Sequence, residues 1–311
     1  MEANVSFFRT IFAVTCASAA VASLAFAPAP ARANNSAVAA KGPNECNRRC
    51  LLTVLTDYTE ALTNDDTSNL PVARDLRVTS NGTVTKLGHG SVWGKDRRIK
   101  FRQAFVDPKT GAAIFLGTVT NTPTRDMPIW WFYAVRLKIV DKKITEVEEI
   151  SYAGALGSKS AATLQLPDRI FDTVLPEDER STARRLKGIA NEYFDIVSHR
   201  MDYRKGPWHP ECQRKELGVY TVNSDKFMRG SCEGEFKDPR IKWIVTNRRF
   251  YITDVKRGVV IALAHFNAPP DYPDNNPSVV FEIFKVQDGL IRYVEAFFRG
   301  NGQLHAGWGT D

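Results

Sequence analysis

Residues 279–298 read VVFEIFKVQDGLIRYVEAFF, which is two apolar runs on either side of a Gln-Asp-Gly turn. An Asp-Gly pair between two such runs is typical of a β-hairpin. Glu282 and Glu295 each stand inside an apolar run, where a buried charge is costly unless it is paired. The stretch therefore predicts two buried strands, and it raises the question of what the two carboxyl groups do.

The same pattern occurs earlier in the chain. Residues 137–150, LKIVDKKITEVEEI, align without a gap with residues 284–297, FKVQDGLIRYVEAF, at an offset of 147. Lys, Asp, Ile, Val and Glu recur at the same five places. Solenoid repeats have periods of 20–50 residues, so a repeat of this length indicates two tandem domains. The chain length of 311 residues also fits two domains.

The N-terminus predicts export. Arg9 precedes the apolar run IFAVTCASAAVASLAFA, and Ala31-Arg32-Ala33 is a small-x-small cleavage site. We expect residues 1–33 to be a signal peptide and residues 34–45 a polar linker. No second long apolar stretch follows, so no membrane segment is expected after processing, although an uncleaved anchor is the alternative. The predicted destination is the periplasm of a bacterium or, for a eukaryote, the secreted fraction.

The cysteine content agrees with export. Four cysteines follow the predicted cleavage site, an even number that suits an oxidising compartment. Of the three connectivities, we favour the local pairs Cys46–Cys50 and Cys212–Cys232, the second of which would stabilise the fold by about 3 kcal/mol. The alternative is a metal site at these cysteines and His209, but their spacing matches no zinc template, and no metal is expected.

Charge excludes one class of partner. The net charge is +7, but the basic residues are scattered and accompany no nucleic-acid-binding motif. We therefore expect no nucleic-acid partner, and the excess fits an anionic ligand or a charged envelope surface.

Each copy is expected to contain one helix followed by strands. The first domain, residues 46–155, has a helix at 51–62 and about five strands, with turns at Asp107-Pro108 and at 141–143. After a linker at 156–180, the second domain, residues 181–311, starts with a helix at 183–200. A helix layer on a curled antiparallel sheet is an α+β arrangement.

This order of elements resembles the NTF2-like superfamily, and its SnoaL-like members in particular. The pieces CNRRCLLTVLTDYTEAL, LGHGSVWG, RLKIVDKKITEVE and FKVQDGLIRYVE resemble exported proteins with tandem SnoaL-like domains. The resemblance covers nearly all of residues 46–311 and implies two cone-shaped domains with apolar pockets. Enzymes of the superfamily are typically cofactor-independent lyases, isomerases, dehydratases or cyclases that use one carboxylate, His or Tyr. Other members are binding or assembly modules.

Strand parity and the repeat select catalytic candidates. His265, Glu282 and Glu295 each share a strand face with apolar residues, so we expect them to converge on one concave surface suited to acid–base catalysis. The offset maps His265 onto a threonine and Glu282 onto a valine, whereas Glu295 maps onto another glutamate. His265 and Glu282, which the first copy lacks, are the catalytic candidates. Because both copies have Glu295 or its equivalent, we expect this residue to have a structural role, paired with an arginine. Alternatively, Glu282 faces solvent or pairs with Arg248 or Arg292.

Other residues are candidates for binding a substrate. Tyrosine recurs at one helical position in both copies, as Tyr58 and Tyr193. An arginine near a strand entry can fix a phenolate or carboxylate, and aromatic rings can stack on a flat ligand. Surface ion pairs and core packing are the respective alternatives. The predicted substrate-binding set is Tyr193, Arg248, Tyr251, Glu295, Trp93 and Trp131.

These observations predict a cofactor-independent lyase or isomerase acting by acid–base chemistry on an apolar aromatic small molecule. No nucleophile-elbow, phosphate-loop or dinucleotide motif is present, so no cofactor is expected. The resemblance implies one concrete form, the release of formaldehyde from a lignin-derived aromatic dimer, with Glu282 and His265 sharing the acid and base roles. The alternative is a non-catalytic envelope protein that binds a ligand or oligomerises, and a homo-oligomer is left open.

Overall fold

The computed structural model describes residues 46–121, 129–153, 168–222, 230–239, 242–271, 277–300 and 307–308. The predicted signal peptide, the 34–45 linker and most of the first half of the 156–180 linker lie outside these ranges. Among the described residues, no helix combines the length and apolar character needed to cross a membrane.

The first sheet follows helix α1 (Arg48–Asn64). Its strands are β1 (Val72–Ser80), β2 (Thr83–Val84), β3 (Arg97–Asp107), β4 (Ala112–Asn121), β5 (Trp130–Val140) and β6 (Lys143–Tyr152). Their spatial order is β2-β1-β6-β5-β4-β3.

The second sheet follows helix α2 (Ala183–Val197) and repeats this order as β8-β7-β12-β11-β10-β9. Its strands are β7 (Trp208–Glu216), β8 (Val219–Tyr220), β9 (Ile244–Asp254), β10 (Val259–Asn267), β11 (Ser278–Gln287) and β12 (Leu290–Gly300). Within the described residues, the protein therefore contains two six-stranded sheet domains with one long helix each, and the two predicted helices are confirmed.

The prediction of purely antiparallel sheets is wrong for one strand pair in each domain. β1 pairs with β6, and β7 with β12, in parallel. In each domain the chain leaves the first long strand for the far edge of the sheet and returns through three antiparallel hairpins. The last strand therefore arrives beside the first strand running in the same direction.

The last hairpin contains a tight turn and then a bulge. Asp288 and Gly289 have φ values of 52° and 73°, which suit the two-residue hairpin turn that Asp-Gly favours. Gln287 pairs with Leu290 at the turn, but two pairs later Lys285 pairs with Tyr293, so Arg292 is an extra residue.

The first domain repeats both features. Asp141 and Lys142 also have positive φ values, 47° and 64°. The register shifts between Lys138 and Ile139, which leaves Thr145 as the extra residue. Because the bulge recurs at the same place in the repeat, it belongs to the shared architecture.

Each sheet buries both of its faces. One face packs against the helix of its own domain: α1 covers the first sheet and α2 covers the second. The other faces pack against each other and form a third core that includes Ile114, Phe132, Ile261, Phe281 and Phe297. Burial on both faces explains why the strands are nearly continuous apolar runs.

Phe171 lies in the segment that joins the two domains, and its side chain packs into the interface between them. It is fully buried, and its ring makes edge-to-face contacts with Phe105 of the first domain and Tyr293 of the second, at centroid distances of 5.9 Å and 5.4 Å. Phe132 and Phe297 make a further edge-to-face contact across the interface at 5.6 Å. The described part of the linker therefore belongs to the shared core.

A charged network also lies in this interface. Arg136 of the first domain binds Glu146 at 2.6 Å and Glu148 at 3.2 Å. The Tyr251 hydroxyl of the second domain donates to Glu148 at 2.8 Å, and Arg249 forms an ion pair with the same carboxylate. Buried ions are tolerated when they are paired and hydrogen-bonded in this way.

The predicted disulfide pairs are confirmed. Cys46 is bonded to Cys50 at the start of α1, and Cys212 is bonded to Cys232. Because all four sulfurs are in disulfides, they provide no thiolates for the alternative metal site. Two disulfides fit an oxidising, extracellular environment.

Replacing Phe171 with alanine is expected to lower the free energy of unfolding by about 3 kcal/mol, because it empties a fully buried aromatic site between the two sheets. Denaturant unfolding followed by circular dichroism measures the change. Val174 provides the control, since its side chain is about half exposed and Val174→Ala should change stability by less than about 0.5 kcal/mol. A loss below about 1 kcal/mol for Phe171→Ala would show that the linker does not hold the domains together.

Candidate active site

A cavity of about 240 Å³ lies in the second domain, on the helix-facing side of its sheet. Four aromatic residues line it: Phe236, Trp243, Phe266 and Phe298. The polar lining residues are Arg214, Glu216, Glu235, Ser278 and Glu282. An apolar cavity of 150 Å³ is enough to hold benzene, so this one has room for a single ring with substituents.

Glu282 lies on β11 and faces this cavity. Its two cross-strand neighbours are Ala262 and Ala296, whose small side chains leave space around the carboxyl group. The residue is 1% exposed, and neither carboxyl oxygen has a hydrogen-bond partner. Such a group is an exception among buried polar atoms, and a catalytic role is one of the explanations for an exception of this kind.

Burial raises the pKa of Glu282 to about 7 from the ordinary value of 4.5, because the cavity disfavours the charged form. Arg214 and Tyr193 act in the opposite direction, while the carboxylates of Glu216 and Glu235 add to the rise. Near neutral pH the carboxyl group is therefore present in both protonation states, which is the condition for exchanging protons with a bound molecule.

Tyr193 lies beside Glu282 on α2. Its ring is fully buried and contacts the rings of Trp208, Phe236 and Phe284. Burial raises the pKa of the hydroxyl well above its usual range, so the group is neutral. No donor or acceptor lies within hydrogen-bond distance of the hydroxyl, but it is close enough to Glu282 to lower the pKa of that carboxyl group, and it does not itself line the cavity.

Arg214 on β7 supplies the positive charge of the site. It forms ion pairs with Glu216, at 2.6 Å, and with Glu235. Burial opposes its charged form, but the two carboxylates outweigh this effect and hold the pKa of Arg214 above its usual range. The guanidinium carbon lies 5.8 Å from the ring centroids of both Tyr193 and Phe236.

The Cys212–Cys232 disulfide holds one wall of the cavity. Cys212 lies two residues before Arg214 on β7, and Cys232 precedes the short 3₁₀ helix Gly234–Lys237. That helix carries Glu235 and Phe236. The disulfide therefore fixes the segment that provides a partner for Arg214 and an aromatic lining residue.

The expected convergence of His265, Glu282 and Glu295 is wrong. His265 pairs across strands with Val279, and Glu295 pairs with Ile283, so both lie on the face that packs against the first domain. A perfect hairpin register from the turn would have placed Glu295 opposite Glu282. The extra residue at the bulge turns Glu295 to the other face.

Glu295 differs from Glu282 in position but resembles it in burial. It is fully buried, and its oxygens have no hydrogen-bond partner. Burial raises its pKa to about 8, and Lys215 opposes the rise. Among the described residues, no arginine forms the expected ion pair with Glu295; the cation that acts on its carboxyl group is Lys215, which binds Asp168 at 2.6 Å.

The alternatives for Glu282 are also wrong. The residue does not face solvent, and neither predicted arginine pairs with it. Arg248 forms an ion pair with Asp195 of α2 at 2.8 Å, and Arg292 forms one with Glu211 at 2.7 Å.

The predicted substrate-binding residues fall into separate places. None of the six lines the cavity, but Tyr193 lies beside Glu282. Arg248 joins β9 to α2, and Tyr251 and Glu295 lie in the domain interface. Trp93 and Trp131 belong to the core of the first domain, where Trp131 packs under Arg97 at 4.8 Å. Five of these residues are therefore not near Glu282.

The first domain has its own buried carboxyl group, on Glu149. Tyr133 donates to it at 2.6 Å, and Tyr58 and Trp93 donate at 3.3 Å each. A Cβ atom at Gly90 would lie only 1.8 Å from this carboxylate, so glycine is what lets the loop approach it. This carboxyl group is fully hydrogen-bonded, unlike Glu282.

The repeat relates the two carboxyl groups. Val135 and Glu149 form one cross-strand pair, and Glu282 and Ala296 form the equivalent pair in the second domain. Each domain thus places one carboxyl group at the same point under its helix, but on opposite strands of the hairpin. The tyrosine of the helix, Tyr58 or Tyr193, lies beside it in both.

Sequence reasoning missed several site residues. Cys212, Arg214 and Glu216 are spaced two residues apart along β7. Strand alternation alone would therefore have placed the arginine and the glutamate on the same face as the disulfide. Glu149 follows Glu148, the glutamate that recurs in the repeat, and a second carboxylate next to it is a signal that the sequence contains. Glu235 and Phe236 come from an irregular segment that carries no periodic signal.

Comparisons with known proteins give a partial match. Residues 179–298 match a family described as "Domain of unknown function (DUF8021)". A search of curated proteins finds no match.

Some solved structures are similar to part of the chain. One is AclR, a putative hydroxylase from Streptomyces galilaeus, with 16% identity, 35% of this chain and 94% of that chain covered, and a TM-score of 0.31. Another is a putative SnoaL-like polyketide cyclase from Shewanella putrefaciens, with 12% identity, coverage of 37% and 84%, and a TM-score of 0.28. A third is an NTF2-like protein of unknown function from Cytophaga hutchinsonii, with 7% identity, coverage of 32% and 97%, and a TM-score of 0.26.

Glu282 makes stability depend on pH. Its pKa is about 4.5 in an unfolded chain and about 7 in the folded protein, so the folded state favours the protonated form. The stabilisation is fully present below pH 4.5 and is lost as the pH rises to 7, with a total loss of about 3 kcal/mol. Glu282→Gln does not titrate, so its stability relative to wild type should rise by this amount between pH 4 and pH 8.

Urea unfolding at a series of pH values measures this difference. Glu295→Gln is the matched control. Because the pKa of Glu295 is about 8, the stability of this variant relative to wild type should continue to rise to a higher pH than that of Glu282→Gln. A stability difference between Glu282→Gln and wild type that does not change with pH would contradict the raised pKa.

Proposed function

We propose that the second domain is a cofactor-independent enzyme of the lyase or isomerase type, in which Glu282 transfers protons to and from a small apolar molecule. The observation that carries the proposal is a buried carboxyl group without a hydrogen-bond partner, facing a cavity lined by aromatic side chains. The resemblance of the sequence to SnoaL-like domains supports the same class of chemistry.

The roles of the site residues follow from their protonation. The Glu282 carboxylate takes a proton from the substrate, and the resulting carboxylic acid returns it to a leaving oxygen or to another carbon. The glutamate therefore ends the cycle as it began. The neutral Tyr193 hydroxyl, which lies beside Glu282, stabilises the ionised form of that carboxyl group as a hydrogen-bond donor. The aromatic lining excludes water and so strengthens both interactions.

The size of the cavity bears on the substrate. A volume of about 240 Å³ suits one substituted ring, so the second ring of an aromatic dimer would lie outside it. Formaldehyde release is one form of this chemistry: a base takes the hydroxyl proton of a CH2OH group, the C–C bond breaks, and a benzylic oxygen leaves with a proton from the acid. His265, on the opposite face of the sheet, has no part in the proposed proton transfers.

An activity screen tests the proposal. The mature protein would be incubated with single-ring and two-ring aromatic alcohols, and products would be followed by mass spectrometry together with released formaldehyde. Glu282→Gln is expected to lower kcat by at least about 100-fold, the usual scale for an acid–base group. Glu295→Gln is the matched control, because it removes an equally buried carboxyl group from the other face of the same sheet.

The outcomes are distinct. Turnover that both substitutions reduce equally would mean that the loss comes from the fold, and turnover unaffected by Glu282→Gln would contradict the assignment. Binding of aromatic compounds in the cavity without turnover would favour the alternative, a non-catalytic ligand-binding protein.

A further inference from the structure

We infer that the cavity recognises a small organic cation, an ammonium group attached to an apolar body, with the Glu282 carboxylate as its counter-ion. This inference rests on the cavity being the ligand site, as in the proposed function, and it adds the chemical class of the ligand. It does not require that the bound molecule be turned over.

The unpaired carboxyl group is the first argument. Once ionised, Glu282 is an acceptor with two oxygens; no donor lies within hydrogen-bond distance of either, no described Lys or Arg forms an ion pair with them, and the neutral Tyr193 hydroxyl is the nearby donor that lowers its pKa. A buried carboxylate without a partner is expensive, and a bound cation removes that cost more effectively than a neutral donor does. Ala262 and Ala296 on the neighbouring strands leave space for such a partner.

The aromatic lining is the second argument. Phe236, Trp243, Phe266 and Phe298 surround the space above the carboxyl group. Aromatic rings attract ammonium groups through their negative faces, and the attraction is larger where water is excluded. The cavity already holds one cation in this way, since the Arg214 guanidinium lies 5.8 Å from the centroid of the Phe236 ring.

The charges of the lining disfavour an anion. Among the described residues that line the cavity, Arg214 is the one cation, and it is engaged by Glu216 and Glu235. An anionic ligand would have to displace one of these carboxylates and would then meet Glu282. The phenolate or carboxylate ligand considered from the sequence therefore fits the site less well than a cation does.

The pH dependence of binding follows from the groups that face Glu282. These are Arg214 and Glu216 on β7, Glu235 on the 3₁₀ helix, and the neutral Tyr193 on α2. A cation binds the ionised form of Glu282, so its apparent affinity should follow the ionised fraction of that carboxyl group. With a pKa of about 7, affinity should rise about tenfold from pH 6 to pH 8 and then level off.

Calorimetry with three probes of similar shape tests the inference. Benzyltrimethylammonium carries a permanent positive charge, neopentylbenzene is its uncharged carbon analogue, and phenylacetate is an anion. The cation should bind wild type with the pH dependence above, and Glu282→Gln should weaken it at least tenfold at pH 8 and abolish the pH dependence. The same substitution should change the affinity of the neutral probe less than twofold, and Glu295→Gln should affect neither probe.

Each other result has a definite meaning. Tighter binding of phenylacetate than of the cation, or binding of the cation that Glu282→Gln leaves intact, would overturn the inference. Turnover of neutral aromatic alcohols that depends on Glu282, without binding of the cation, would overturn the inference and leave the proposed function standing. Binding of the cation that depends on Glu282, without turnover of any compound, would support the inference and count against the proposed function.

Discussion

The register of the last hairpin decides what the second domain can do. The Asp288-Gly289 turn aligns β11 and β12, and the extra residue at Arg292 then shifts their pairing by one. Because side chains alternate, this shift places Glu295 on the interface face, opposite the helix face that Glu282 occupies. One buried carboxyl group therefore faces a cavity, while the other lies between the two sheets.

The two domains share this frame and use it differently. In the first domain, Glu149 receives hydrogen bonds from Tyr133, Tyr58 and Trp93, so its carboxyl group is part of the core. In the second, alanines flank the carboxyl group, and its oxygens are without a donor. The face-to-face packing of the sheets gives the first domain a structural role, because it covers the apolar surface that the second domain would otherwise expose.

The sequence predicted the repeat, the helices, the disulfide pairs and Glu282 as a buried functional candidate. Each of these predictions rested on a local signal: the spacing of apolar residues, the Asp-Gly turn, or a glutamate that the first copy lacks. The bulge at Arg292 left no such trace, because a single inserted residue in a strand does not disturb an apolar run. The parity argument therefore grouped Glu295 with Glu282. His265 was misplaced for another reason: alternation along one strand does not tell which residues of β10 and β11 lie opposite each other, and the pairing of Ala262 with Glu282 puts His265 on the other face. Glu235 and Phe236 lie on a short 3₁₀ helix without an apolar period, and although the disulfide beside it was predicted, the approach of these two residues to Arg214 depends on the tertiary structure.

The central claim is that the cavity keeps the Glu282 carboxyl group near its midpoint of ionisation at neutral pH. Carbon-13 NMR of glutamate side-chain carboxyl carbons, recorded from pH 4 to pH 9, measures this directly, and the signal absent from Glu282→Gln identifies the residue. We predict a midpoint of about 7. A midpoint close to the ordinary value of 4.5 would mean that Glu282 is hydrated or paired, and that the cavity is not a site of proton transfer.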